Sequence, residues 1–409
     1  MMKQTLILII NDYPYNIGEP FFESEIIELS KRFEQILLFS VVGKKHETMT
    51  RTAPPNVTVI PLGCSHNKFR NIFSGLFFHL SGANGSNLKT RAMDYYFRGK
   101  AKTIAAKINK ALKNYSISKD VIIYSYWLTL GLSALLLKKK LVNEGKTVRL
   151  VSRAHGYDIY SELMPAGYYP YLDLIVAEED YIGPCSDYGT NYLRNKFPQF
   201  VNKIFTHRLG TIDHLKSFKI KTNKSKKNFV TCSGLRPVKR LDLFANAFCL
   251  AAEKDNEIKW FIIGDGPEKR KIQAIISKNH MEQRVTFLGN ITNDNVYNFY
   301  KTIDISFFAN VSISEGIPVS IMEAISFGIP ILATNVGGNK EIVSCLNGKI
   351  IDKDVGTDEL SQVIVELATM KDNDYQELSK NSRQIWEHLY DATHNYEKWI
   401  SVIKGDSQS

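Results

Sequence analysis

The sequence predicts an α/β protein built from two Rossmann-like domains. Three observations carry this. Short apolar runs alternate with amphipathic helical patterns along most of the chain. The alternation lapses into a polar, basic stretch at 216–228 and restarts at Phe229. The length, 409 residues, exceeds what one hydrophobic core usually fills.

The chain opens as strand, loop, helix, strand. Residues 6–10 read as a buried strand, and 11–20 as a loop carrying Gly18. In 21–33, Phe22, Ile26, Leu29 and Phe33 share one helical face. The acids Glu23 and Glu25 come early and the bases Lys31 and Arg32 late, as a helix dipole favours. Strands follow at 36–42 and 57–60. Sheets of this kind bind ligands beyond the C-terminal ends of their strands.

Residues 67–80, N-K-F-R-N-I-F-S-G-L-F-F-H-L, place Phe69, Ile72, Phe73, Leu76, Phe77 and Leu80 on one helical stripe, with Lys68 and Arg70 at one end. The next helical segment, 90–113, is basic: Arg91, Arg98, Lys100, Lys102, Lys107, Lys110 and Lys113. The plain reading is a core-facing helix followed by a solvated one. The functional reading is a membrane-surface platform for a lipid-linked acceptor.

A strand at 121–125 and a helix at 128–140, stopped by Gly145, lead to a strand at 148–153. Directly after it comes R-A-H-G-Y-D-I-Y, so His155 stands where a Rossmann strand meets its ligand crevice. A histidine met alone is more often a satisfied structural residue. The apolar run 174–177, a helix capped by Ser186 and H-R-L-G-T at 207–211 complete a first domain spanning 1–215. After the linker at 216–228, strands at 229–232, 260–263, 285–287, 305–308 and 331–333 alternate with helices. They make a second domain over 229–385. In the tail, Trp386, Tyr390, Tyr396 and Trp399 are spaced for packing.

Composition narrows the class. Hydrophobic content of 44% with 23% charged residues is that of an ordinary soluble protein. The five cysteines are scattered without C-x-x-C spacing, which argues for a reducing compartment and against a disulfide framework or zinc site. The apolar start is too short for a secretory core, and no run approaches the roughly 20 residues that span a bilayer. A cytoplasmic protein is expected. The net charge of +10 favours anionic partners; with no nucleic-acid-binding motif, phospholipid or a phosphorylated substrate is the better expectation.

The most informative stretch is S-E-G-I-P-V-S-I-M-E-A-I-S-F-G-I-P-I-L-A-T-N-V-G-G-N-K-E, residues 314–341. It reads as loop, helix, strand and loop. Pro318 suits a helix start, Ile321, Ala324 and Ile325 recur at helical spacing, and Gly328 with Pro330 ends the helix. Glu315 precedes that helix and Glu323 lies within it. The first turn between them offers orphan N–H groups and a positive dipole end, a ready phosphate site. Carboxylates beside such a site can take sugar hydroxyls, which suggests a nucleotide-sugar pocket. The plainer alternative makes Glu315 a dipole partner and Glu323 a solvated helix residue.

The pattern E-x7-E with G-I-P inside it, E-A-I-x-x-G-x-P after it and T-N-V-G-G-x-x-E beyond resembles the signature of retaining glycosyltransferases of family 4. The run Y-P-Y-N-I-G-E-P-F-F-E-S-E-I is similar to the first loop of polysaccharide-building bacterial relatives. The resemblance implies the GT-B fold: two Rossmann-like domains facing across a deep cleft, with a C-terminal helix, about 386–409, crossing back to the first domain. It implies a sugar moved from a UDP- or GDP-sugar to a hydroxyl of a glycan acceptor; with segments 67–80 and 90–113 read as a membrane platform, the acceptor is expected to be lipid-linked and the enzyme peripheral on the inner face of the plasma membrane.

Residue by residue, Glu315 would hold the sugar ring, Glu323 the ribose, and His155 the sugar or acceptor side. Gly316, Ile317, Pro318 and Val319 would form the helix start at the phosphates, Asn290 and Ile291 the nucleobase edge, and Gly18 a close backbone approach. Lys239 matches the family's diphosphate lysine in S-G-L-R-P-V-K-R-L. The arginine usual five residues before it is Gly234 here, and Arg236 is the expected substitute; otherwise Lys239 and Arg240 project into water. G-D-G-P at 264–267 lacks the third glycine of a dinucleotide fingerprint and reads as a tight turn. No D-x-D motif is placed for a metal, so no cofactor or metal is expected. Two rivals use the same fold: a sugar-nucleotide epimerase and a non-catalytic assembly subunit.

Overall fold

The computed structural model describes residues 4–16, 18–64, 67–215 and 227–406. The predicted linker falls almost wholly outside them. The chain divides into two compact units, residues 1–209 with 393–409 and residues 210–392.

The first unit is built on six strands: β1 (Thr5–Ile10), β2 (Gln35–Ser40), β3 (Val57–Pro61), β4 (Asp120–Ser125), β5 (Thr147–Ala154) and β6 (Tyr181–Pro184). They form one parallel sheet in the order β3-β2-β1-β4-β5-β6. Every residue of β1, T-L-I-L-I-I, is buried, the continuous apolar pattern of a strand covered on both faces. The helices are α1 (Phe22–Arg32), α2 (Lys68–Leu76), α3 (Leu88–Leu112), α4 (Gly131–Asn143), α5 (Leu172–Glu178) and α6 (Asp187–Lys196).

The second unit repeats the topology. Its strands are β7 (Asn228–Cys232), β8 (Lys259–Ile263), β9 (Val285–Gly289), β10 (Phe307–Asn310), β11 (Ile331–Thr334) and β12 (Gly348–Ile351). They run parallel in the order β12-β11-β10-β7-β8-β9. The helices are α7 (Leu241–Lys254), α8 (Lys269–Lys278), α9 (Asn293–Thr302), α10 (Val319–Ser326), the short α11 (Asn339–Ile342), α12 (Thr357–Ala368) and α13 (Asp372–Leu389). Phe229, Phe244, Phe248, Trp260 and Phe307 lie in the core of this unit. In each unit the strand order reverses beside the first strand, between β1 and β4 and between β7 and β10. Such switch points are where open α/β sheets bind ligands.

The last helix, α14 (Ala392–Lys404), belongs to the first unit. Trp399 is fully buried there, and Gly183 of β6 makes the room: a Cβ on it would lie 2.7 Å from the indole ring. The indole N–H donates to Glu25 Oε1 and to the Tyr124 hydroxyl, each at 3.1 Å. Glu25 also pairs with Arg153 at 3.2 Å, with both side chains fully buried.

Three local readings change. The run 174–177 lies in α5, and the strand beside it is β6, where Tyr-Ile-Gly-Pro is too short to stand out. The edge strand β12, Gly-Lys-Ile-Ile, is equally brief. The third concerns α2, which is not core-facing. Its inward residues are Asn71 and Gly75, while Phe69, Phe73 and Phe77 stand in solvent. The supposedly solvated α3 is the better buried of the two, with Arg98 closed off and donating through Nε and Nη2 to the Gly75 carbonyl.

Candidate active site

In the second unit, the loops after β7 and β10 meet at the switch point. The Ile313 N–H donates to the Val238 carbonyl at 2.9 Å. Across this junction Lys239 Nζ donates to Glu315 Oε1 at 2.6 Å, with the carboxylate side chain only 10% exposed. The same oxygen accepts from Ser312 Oγ at 2.6 Å and Asn310 Nδ2 at 3.1 Å. Three donors on one oxygen fix the carboxylate's orientation. Ser312 is held in turn, since Thr334 Oγ1 donates to its carbonyl at 2.7 Å.

The glycine pair of T-N-V-G-G has a direct role in this geometry. Gly337 takes φ +46°, and a Cβ on it would lie 1.8 Å from the Glu315 carbonyl oxygen. The Gly338 N–H donates to the Gly316 carbonyl at 2.8 Å. The loop after β11 therefore presses backbone against backbone on the Glu315 segment, which only glycine permits there. Ile317 and Pro318 are buried, and Val319 opens α10 with no side chain capping the helix.

Gly264 and Gly266 of G-D-G-P work similarly. Cβ atoms on them would strike the carbonyls of Ser233 and Leu235 at 1.9 and 2.5 Å. The glycines thus seat that turn against the loop bearing Arg236 and Lys239. Arg236 folds back along its own loop, and a Cβ on Gly234 would lie 3.6 Å from its Nε. Neither neighbour simply projects into water. Lys239 is in the ion pair, and Arg240, at φ +48°, donates through Nε to the Val311 carbonyl at 3.0 Å.

Glu323 lies in α10, half-buried, and accepts from the Tyr297 hydroxyl at 3.0 Å. Tyr297 stacks on His214, with ring centroids 3.8 Å apart. Asn290 and Ile291 follow β9, where Gly289 turns at φ +68° in open space. The structure thus joins Lys239 directly to Glu315 and sets Arg236 against Gly234, while Glu323 engages a separate aromatic group.

His155 and Gly18 belong to the first unit. The His155 side chain is 8% exposed, and neither ring nitrogen makes a hydrogen bond. Trp127, Tyr126 and Phe21 surround it at centroid distances of 4.4, 4.9 and 5.6 Å. Asp158, fully buried, positions the loop. It accepts from the His155 N–H at 2.7 Å and the Leu128 N–H at 2.9 Å. Gly18 sits against Asp12, whose Oδ2 would be 2.8 Å from an added Cβ. Next to it Glu19, at φ +59°, accepts from the N–H groups of Asn11, Asp12 and Tyr13 and from the indole of Trp127. Burial pushes its carboxyl up, against the pull of those donors. This unit's switch point, like the other, is bridged by a carboxylate.

Sequence reading missed Asn310, Ser312 and Thr334 around Glu315, and Glu19 and Asp158 in the first unit. The available signal was polar residues just past predicted strands, at the ends where ligands bind. Among the described residues, no group of three or more His, Cys, Asp or Glu is placed to hold a metal ion.

Residues 213–385 match the family model for glycosyl transferases group 1. Over part of its length the chain is similar to glycosyltransferases. It is 26% identical over 226 residues to the UDP-N-acetylglucosamine–peptide N-acetylglucosaminyltransferase GtfA subunit of Streptococcus parasanguinis, a match covering 52% of this chain but 42% of that one. It is 24% identical over 263 residues to WcaL of Escherichia coli (strain K12), named for colanic acid biosynthesis, covering 63% and 64%. The matches therefore span less than two thirds of these relatives' lengths. Among solved structures, the pneumococcal O-GlcNAc transferase GtfA in complex with UDP and GlcNAc superposes with a TM-score of 0.70 at 17% identity, covering 98% of this chain and 99% of that one. The paired parallel sheets are those of the GT-B fold.

Proposed function

We propose that the protein is a retaining glycosyltransferase that moves a sugar from a UDP- or GDP-sugar to a hydroxyl of a lipid-linked glycan. It would act in cell-surface polysaccharide biosynthesis, on the cytoplasmic face of the plasma membrane. The observation that carries this reading is the Lys239–Glu315 pair spanning the switch point inside the matched domain.

Transfer breaks the bond between the anomeric carbon and the diphosphate oxygen and forms one from that carbon to the acceptor oxygen on the same face. The acceptor's proton passes to the departing diphosphate. In this reading Lys239, Arg236 and the start of α10 at Gly316–Val319 stabilise the charge that develops on the leaving group. Glu315 orients the sugar ring, Glu323 takes the ribose hydroxyls, and the segment at Asn290 and Ile291 faces the base. His155 and the Gly18 loop serve the sugar and acceptor side. Cationic side chains supply the neutralisation, so the reaction needs no metal.

The test is a thermal-shift panel of UDP- and GDP-sugars, followed by a transfer assay in EDTA. One nucleotide class should raise Tm, and turnover should survive chelation with the anomeric configuration kept. No shift with any nucleotide sugar would overturn the reading in favour of a non-catalytic protein. Rescue of a chelated enzyme by Mn²⁺ would overturn its metal independence.

A further inference from the structure

Helix α2 is built inside out for a soluble protein. Its inner face is small: a Cβ on Gly75 would lie 1.9 Å from the Tyr95 carbonyl, and one on Gly99 of α3 1.9 Å from the Asn71 carbonyl. The two helices therefore touch backbone to backbone, and several bulky apolar groups beside the contact are exposed. Phe69, Phe73 and Phe77 are 87%, 65% and 75% exposed, and Leu76 and Leu88 are 50% and 87% exposed. Phe69, Phe73 and Phe77 recur every four residues, so they form one ridge; the Phe73 and Phe77 rings pack edge to face at 5.0 Å. A contiguous apolar patch of this kind marks an interaction surface.

Its charge identifies the partner. Lys68 and Arg70 on α2, and Lys89 and Arg91 at the start of α3, are exposed beside the ridge. Lys102 Nζ lies 5.1 Å over the Phe78 ring. Between residues 67 and 112 the sole carboxylate is Asp94. It is buried, and it accepts from the Tyr168 hydroxyl at 2.7 Å. An apolar ridge flanked by bases, with no exposed acid in the segment, fits an anionic bilayer. A second copy docked face to face would oppose Lys68 and Arg70 to their own kind.

We propose that α2 is a membrane-docking helix, lying in the interface of an anionic phospholipid bilayer with Phe69, Phe73 and Phe77 among the acyl chains. Among the described residues no helix is long and apolar enough to cross a membrane, so the contact is interfacial. Arg98 and the glycine contact hold the ridge in place, so docking needs no refolding. The surface exists whatever the catalytic reaction. Only its use, bringing a lipid-linked acceptor to the enzyme, rests on the reading above.

The test is vesicle flotation of the full chain. Vesicles are an equal mixture of phosphatidylglycerol and phosphatidylethanolamine, or phosphatidylcholine alone. The protein should float with the first and not the second, and high salt should release it. The triple variant Phe69→Ser/Phe73→Ser/Phe77→Ser and the charge variant Lys68→Glu/Arg70→Glu should each lower binding by about tenfold or more. Because these side chains are exposed, both variants should keep the wild-type Tm and any nucleotide-induced shift. Failure of flotation with an intact nucleotide shift would overturn the docking surface alone; the reverse would overturn the transferase alone. Equal flotation with both lipids would remove the anionic partner. Concentration-dependent dimers in light scattering, lost in the triple variant, would assign the ridge to a second copy instead.

Discussion

The ammonium of Lys239 lies 2.6 Å from Glu315 Oε1, joining the loop after β7 to the loop after β10 at the switch point of the second sheet. In the free protein each side chain is the other's counterion. A diphosphate entering between these loops would draw the lysine toward the phosphates and leave the carboxylate for sugar hydroxyls. In the proposed reading, the pair keeps both groups at the site without leaving either charge uncompensated.

Glu315→Gln should lower transfer by roughly three orders of magnitude, the scale of one lost transition-state contact. The fold should survive, because Asn310 and Ser312 can still donate to the amide oxygen. Lys239→Met should also cut kcat/KM. In unfolding measurements on the free protein the two changes should be non-additive, with a coupling of about 0.5–3 kcal/mol. Additive stabilities would show that the pair is not a unit. Transfer near the wild-type rate would remove Glu315 from the site.

Arg236 Nε lies 3.6 Å from where a Gly234 Cβ would be, and in the proposed reading its guanidinium serves the diphosphate in place of an arginine at position 234. A hydrogen bond to a charged group contributes roughly 1.5–3 kcal/mol. Arg236→Ala should therefore cost about ten- to a hundredfold in kcat/KM if the contact tightens in the transition state. Arg240 is an unsuitable control, because it holds the Val311 carbonyl. Arg270, exposed at the start of α8, is a better one, and Arg270→Ala should leave kcat/KM unchanged. Matching values for the two variants would leave diphosphate binding to Lys239 and the start of α10.

Glu179 predicts a pH dependence in the first unit. It is fully buried, with Ser152 Oγ donating to Oε1 at 2.6 Å, and burial pushes its carboxyl up from 4.5 to about 8. The folded protein therefore holds this proton more tightly than the unfolded chain does. The resulting stability is complete below about 4.5 and is lost as pH rises through about 8. Glu179→Gln cannot ionise, so its Tm should fall less than that of wild type between pH 6 and 9. Parallel Tm profiles would show that the carboxyl does not ionise across that window.

Much of the fold was legible because it is written in long, periodic segments such as β1, α1 and α4. The grouping of Glu315 with Lys239 and the glycine pair was legible because these residues sit in one patterned loop system. What the pattern could not give was direction. The stripe on α2 says that one face is apolar, not that it points inward. The deciding residues are on the other face, where Asn71 and Gly75 allow a backbone contact that bulky side chains would forbid. The direction of Arg240 was open for a related reason. Its left-handed backbone turns the side chain back onto Val311, and nothing in P-V-K-R announces that turn.

The burial of Trp399 has a consequence for synthesis. Residues 1–209 leave the ribosome first, yet the indole that closes over Glu25 comes from the far end of the chain. Domains generally fold as units as they emerge, so the second unit is free to fold as soon as residue 392 has been made. The first unit lacks part of its core until α14 has been made. Until α14 arrives, the Glu25–Arg153 pair lacks its aromatic cover and meets water. Residues 1–209 thus receive their last packing element only after residues 210–392 have been made.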